Sequence, residues 1–333
     1  MRFLLALLLL LASLTTLSSA AEISAPPADG KANVLLITGQ DGPWHDWKKT
    51  APVLAGLLQQ DPRLHVRVVQ DPAFLADPSI HQYDALVLHF VNWEVPSPGK
   101  TARENFKKYL TGGKGVVLIH FACGAWQDWP EFRGLVARVW DPKARPHDPR
   151  GPFEVTIASS QHPIVAGLKP FQADDELYTC LTGDRPIEVL AEARSKVDGK
   201  IYPMAFAYTS GKGRVFQCLL GHDVKAMQMP GVGELYRRGC AWAAGLPPVS
   251  ETATRAPRTK LMKDEVIRIA EDAAKTKGYE LQDYNMKSCH YGSKGQRHTW
   301  TVFFDHKPPG YPGGHFLVCV DDETKEAKLM RGK

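Results

Sequence analysis

A parallel α/β sheet flanked by helices, followed by a small α+β module, is the architecture this sequence predicts. Three observations carry it. From residue 33 onward, short apolar runs alternate with segments of helical periodicity. The first of these runs are apolar throughout rather than alternating in polarity, as strands buried on both faces are. A proline-, serine- and threonine-rich stretch, PPVSETATRAPRT, then separates this pattern from a tail with a helix and strands of its own. Strands that alternate with helices need crossover connections, and crossovers join parallel strands.

In order, NVLLITG from Asn33 is the first strand, and Trp47 to Gln60 is a helix with Val53, Leu54, Leu57 and Leu58 on one face. LHVRVVQ (64–70) and DALVLHF (84–90) are the second and third strands, Lys100 to Leu110 a second helix, and GVVLIH (115–120) the fourth strand. FEVTIAS (153–159), IEVLAEA (187–193), YPMAFAYT (202–209) and GRVFQCLLG (213–221) extend the sheet in mixed or antiparallel fashion. Gly233 to Gly245 is a helix that stops on a glycine. The main domain therefore spans residues 31–246, a linker 247–260, and the module 261–333. In the module, Met262 to Lys277 is an amphipathic helix and YELQDYNMKSCHY, HTWTVFFDH and HFLVCVDD form a three-strand meander. It resembles PepSY or cystatin-like modules loosely, without a shared motif, and its expected role is binding another protein or a surface.

The first 21 residues have a leader pattern: Arg2, an apolar or small run from Phe3 to Leu17, then Ser18-Ser19-Ala20-Ala21. The run falls short of the roughly 20 apolar residues that span a membrane. A secreted or periplasmic location after cleavage near Ala20 or Ala21 is expected, with no stable membrane span. The formal charge of +5 is small for 333 residues and no basic stripe is present, which argues against nucleic acid as a partner. Six cysteines without a CxxC pair are too few for a disulfide scaffold, though Cys289 and Cys319 lie in separate tail strands and a bond between them is open.

Sites in parallel sheets lie at the carboxyl ends of strands. Four of the twelve histidines fall there: His45 after the first strand, His89 at the end of the third, His120 at the end of the fourth, and His222 after GRVFQCLLG. The adjoining loops hold Asp41, Trp44, Asp46, Trp93, Glu94, Trp126 and Trp129, groups of the kind that line a sugar cleft. Cys123 is a poor nucleophile candidate. A strand-to-helix elbow needs small residues two before and two after the nucleophile, and here Phe121 stands at one of them. His45, His120 and His222 with one carboxylate have the composition of an open divalent-metal site, although no short ligand motif such as HExxH accompanies them.

The succession TGQDGPWHDW, GKGVVLIHFACGAWQDWPEF, QHPIVAGL, DDELY, GKGRVFQCLLGHD and RRGCAWAAG resembles the ThuA-like (trehalose utilisation) family over roughly residues 31 to 246. The resemblance implies a flavodoxin-like sheet related to class I glutamine amidotransferases but without their catalytic cysteine arrangement. It singles out His120, the pair His162 and Pro163, the run Asp175, Glu176, Leu177 and Tyr178, and the pair Gly221 and His222. His45 corresponds to a first-loop histidine, although WHDW departs from the usual surroundings. The implied substrates are carbohydrates: glycosides or disaccharides such as trehalose derivatives, 3-keto forms included. His120, His222 and Glu176 would be the acid/base groups, with His45, Trp44, Trp93, Trp126, Asp175 and Tyr178 binding substrate. A non-catalytic carbohydrate-binding protein of the same fold is the alternative.

Overall fold

The computed structural model describes residues 30–159, 161–249, 259–293, 296–307 and 314–331. The leader at 1–21 and most of the 247–260 linker lie outside the described residues. The chain divides into two compact units, residues 1–250 and 251–333.

The first unit is built on a nine-stranded sheet. Its parallel half comprises β1 (Ala32–Ile37), β2 (Leu64–Val69), β3 (Ala85–Leu88), β4 (Gly115–Ile119) and β11 (Gly213–Cys218), in the order β2-β1-β3-β4-β11. The antiparallel extension continues with β10 (Ile201–Ser210), β9 (Glu188–Arg194), β6 (Gly151–Ile157) and β7 (Phe171–Asp175). A separate two-stranded ribbon pairs β5 (Val139–Trp140) with β8 (Leu181–Thr182). The sheet thus matches the expected parallel core with a mixed extension.

Alternate side chains of each strand go to opposite faces, so the apolar run of β1 feeds two cores. Val34 and Leu36 pack with Leu54 and Leu58 of helix α1 (Trp47–Leu58) and with Leu235, Tyr236 and Cys240 of a later helix, Pro230–Ala243. Leu35 and Ile37 pack on the other face with Phe106, Tyr109 and Leu110 of α2 (Lys100–Thr111) and Phe132 of α3 (Pro130–Val136). Two further helices, α4 (Val224–Met227) and α5 (Pro230–Ala243), follow β11. No helix among the described residues is long and apolar enough to cross a membrane.

The second unit has helix α6 (Lys263–Thr276) against an antiparallel sheet in the order β12 (Tyr284–Ser293), β13 (Gln296–His306), β14 (His315–Asp321), β15 (Ala327–Arg331). Val266, Ala270 and Ala274 of α6 meet Val302, Phe304, Phe316 and Val318. The carboxylate of Asp322 fastens the entry to α6 by accepting from Lys260 N, Leu261 N and Trp300 Nε1. The meander therefore has four strands where three were expected. β15 escaped notice because AKLMR is a largely exposed edge strand with no apolar alternation. The open question of a Cys289–Cys319 bond is answered in the negative, since both thiols are free. Cys289 pairs with Val302 and Cys319 with Thr301, so β13 lies between them and they point to opposite faces.

Candidate active site

Strand order reverses between β1 and β3, whose neighbours β2 and β4 lie on opposite sides. That opens a crevice beyond the carboxyl ends of these strands. Loops from four of them reach into it. The loop after β1 is fixed by Asp41, whose Oδ2 accepts from Trp47 N across 2.6 Å, and by Asp46, which caps α1 through Lys49 N. Gly39, at φ +114°, turns where a Cβ would overlap the backbone of Gln70. This geometry delivers His45 inward. The two aspartates are thus capping residues.

After β4 the chain turns sharply. His120 has φ +47°, a left-handed conformation that a non-glycine residue adopts only at a cost of about 1–3 kcal/mol. The strained position at this strand end is thus occupied by an imidazole. Cys123 lies three residues on, buried beside Tyr178, Cys180 and Leu219, and burial pushes its thiol well above the ordinary range. It has neither exposure nor a thiolate, in line with the steric argument against it.

The third contribution comes from the end of β7. Asp175 is fully buried and accepts from Gly221 N (2.6 Å), Glu176 N (2.8 Å) and His222 N (3.2 Å). Burial pushes its carboxyl above the ordinary value despite these bonds. Gly221, at φ +120°, lets the chain pass under Tyr236, whose hydroxyl a Cβ would overlap. Asp175 therefore ties the DDELY and GHD segments together and stays out of the cleft, which corrects its expected substrate-binding role.

What this framework brings together is His45, His120, Glu176 and His222, each offering a ligand atom within 4.8 Å of the others. The His45 ring centroid is 5.2 Å from that of His120 and 5.0 Å from that of His222, and the latter two are 5.6 Å apart. Glu176 Oε2 is 3.1 Å from His222 Nδ1 and 3.6 Å from His120 Nε2. The first contact is an ion-pair distance whose alignment falls short of a hydrogen bond. His120 Nδ1 donates to Leu219 O across 2.7 Å, which turns Nε2 toward the cluster. Tyr178 donates its hydroxyl to that Nε2 across 2.9 Å.

Imidazoles this close cannot all be protonated. Burial, reinforced by His120 and His222, pushes His45 down to about 2, so that ring is neutral. The Glu176 carboxylate raises His222. Burial would raise Glu176 itself, but His120 and His222 outweigh it and hold the carboxyl well below its usual range. Both nitrogens of His45 are buried and, among the described residues, have no hydrogen-bond partner. His89 is buried one step further in, with Nδ1 3.1 Å from Thr38 Oγ1, and burial pushes it down to about 3. His162 is remote. Its Nδ1 accepts from Ile164 N, anchoring the turn between β6 and β7.

Above the cluster is a cleft of about 340 Å³ lined by Trp44, Trp93, Trp140, Phe121, His147 and Tyr178, with His45 and Glu176 at its floor. Trp44 is 62% exposed, and Trp93 is exposed as well, fixed by its Nε1 donating to Gly124 O. Trp44–Trp93 and Trp93–Trp140 centroids are 6.2 and 5.4 Å apart. Trp126 does not belong to this wall. It is 1% exposed and packs against Phe90, Phe106 and Phe132 in the core, and Trp129 lies beside it. The helical turn at 120–124 carries the chain from the cleft to the opposite face, so nearness in sequence to His120 misleads.

Two cleft residues escape sequence reasoning. Trp140 lies in the two-residue strand β5, too short for a periodic signal. His147, in PHDP, stands on no predicted strand end; its loop is brought to the cleft by an isolated bridge to Tyr178.

Comparison with known proteins bears on the family and the fold. A family model described as ThuA, trehalose utilisation, matches residues 33–243. A ThuA-like protein from Parabacteroides merdae ATCC 43184 is 28% identical, with a TM-score of 0.59 over 66% of this chain and 92% of its own. A second, from Bacteroides uniformis ATCC 8492, is 18% identical with a TM-score of 0.53 over 69% of this chain and 98% of its own, a likeness of fold. No curated protein matches. Spanning most of the first unit, including the strands and loops that bear the histidine cluster, the match shows that this chain belongs to the ThuA, trehalose utilisation, family.

Proposed function

We propose that this protein is an exported enzyme of carbohydrate catabolism that acts on glycosides or disaccharides of the trehalose class, their 3-keto derivatives included. Its centre would be a divalent cation held by His45, His120, His222 and Glu176. The observation that carries the reading is His45. A neutral imidazole with two buried, unpartnered nitrogens carries a desolvation cost of about 1–3 kcal/mol. A metal ion is the partner suited to it, because imidazoles and carboxylates are the usual protein ligands of divalent metals and four such groups converge here. The bond from His120 Nδ1 to Leu219 O is the outer-shell contact that orients such a ligand.

A bound cation would supply polarisation of a substrate carbonyl or enolate oxygen. The remaining work falls to the chain. Trp44, Trp93 and Trp140 offer apolar faces on which sugar rings stack. Glu176 turns Oε2 to His120 and His222 and Oε1 toward His147 on the cleft wall. In a 3-keto glycoside the hydrogen on C2 is acidified by the ketone, and the oxygen on C1 is a β leaving group. Oε1 of Glu176, kept ionised, would take the C2 proton. The electron pair then forms the C1–C2 double bond, the C1–O bond breaks, and the departing oxygen takes a proton from solvent at the cleft mouth.

The test is a product assay with trehalose and 3-keto-trehalose, using chelator-stripped protein before and after return of a divalent cation. Turnover of the keto sugar that requires the cation, and falls at least about 100-fold in Glu176→Gln, is the expected result. Thermal stabilisation by trehalose with no product from either sugar would overturn catalysis in favour of a carbohydrate-binding protein.

A further inference from the structure

The cleft wall is apolar except for a few polar ends, and one of them has no part in the cation centre. His147 is rigidly placed. Its loop is tied down by Asp148 N donating to Leu177 O, Thr179 N to Pro146 O, and Thr179 Oγ1 to Arg145 O. Arg145 in turn reaches Asp148 and Asp198, and the Asp148 carboxylate also accepts from Ser195 Oγ and Lys196 N. Its ring lies against Tyr178, with centroids 6.0 Å apart and planes 31° from parallel. Nδ1 is 2.7 Å from Asp148 O, and a carbonyl only accepts, so Nδ1 carries the hydrogen. The other nitrogen, Nε2, faces the cleft 3.6 Å from Glu176 Oε1.

Resting on the carbohydrate reading above, we propose that His147 is a specificity-determining residue: its Nε2, held beside Glu176 Oε1 at the cleft wall, makes the hydrogen bond to one substrate hydroxyl and so sets which way round a sugar lies against Trp140. A site built to hydrogen-bond one hydroxyl discriminates against the sugar that lacks it, because the polar atom is then buried under the ligand without a partner. The residue acts by positioning, and its effect falls on binding.

Calorimetric titration of the full chain with trehalose and its monodeoxy derivatives tests this. One deoxy position is expected to bind roughly tenfold more weakly than trehalose. His147→Phe, which keeps a ring against Tyr178 but has no nitrogen, should bind trehalose about tenfold more weakly and lose its distinction between trehalose and that deoxy sugar. His147→Gln, which restores a hydrogen-bonding group, should recover most of the affinity. Equal binding of trehalose by the unaltered protein and His147→Phe would overturn the inference and leave the carbohydrate reading standing. So would undiminished discrimination in His147→Phe. Absence of binding by the unaltered protein to both trehalose and its 3-keto derivative would overturn the carbohydrate reading, and this inference with it.

Discussion

Tyr178 holds His120 from one side: its hydroxyl donates across 2.9 Å to Nε2, the nitrogen that faces Glu176 and the other two imidazoles. The opposite nitrogen donates to Leu219 O, so the ring is gripped at both ends over a left-handed backbone. A cation at His120 would have to take the lone pair that the hydroxyl now uses. Tyr178→Phe should therefore lower the stability of the metal-free protein by about 1 kcal/mol and tighten divalent-cation binding by about fivefold. Chemical denaturation and cation titration of the same variant check the two halves.

Asp175 is expected to be far more costly to remove than its distance from the cleft suggests. Asp175→Ala leaves the backbone N–H groups of Gly221, Glu176 and His222 without their acceptor in a buried place. A loss of roughly 3 kcal/mol or more follows, read from urea unfolding. Asp175→Asn, which keeps one carbonyl acceptor, should lose less.

The tryptophans separate into two kinds. Trp44→Ala removes an exposed face of the cleft and should weaken sugar binding with little change in melting temperature. Trp126→Ala empties a core position and should destabilise by about 3–5 kcal/mol. Paired melting and sugar-binding curves decide whether the division holds.

Acid should weaken the fold earlier than its carboxylates alone would. His45 and His89 are held neutral down to about 2 and about 3, whereas the unfolded chain binds their protons near 6.5. Below that value the unfolded state binds more protons, so stability falls as pH drops from 6.5 toward 3, by on the order of 1 kcal/mol per pH unit for each ring. Glu176, depressed in the folded state, adds loss of the same sign below its ordinary value of 4.5. His89→Gln, which cannot titrate but can still meet Thr38 Oγ1, should flatten the dependence of melting temperature on pH between 6.5 and about 4.

The sheet was legible in the sequence because a parallel strand is apolar on both faces: NVLLITG, DALVLHF and GVVLIH need no partner to be recognised. Strand ends then located His45, His120 and His222, and the family resemblance supplied Glu176. Less legible was everything that depends on which way a chain leaves a turn. Trp126 follows His120 by six residues yet lies on the far face, while Trp140 and His147 arrive from a loop with no periodicity. Asp175 and Glu176 are neighbours in sequence with opposite duties. One carboxylate is spent on backbone donors, the other is turned to the imidazoles, and only the fold around Gly221 distinguishes them.

Calorimetric titration of chelator-stripped protein with zinc chloride, alongside His45→Ala, tests the cation centre most directly. One ion per chain is expected, bound at least about 100-fold more tightly by the unaltered protein than by the variant. Absence of binding, or equal binding by His45→Ala, would contradict it.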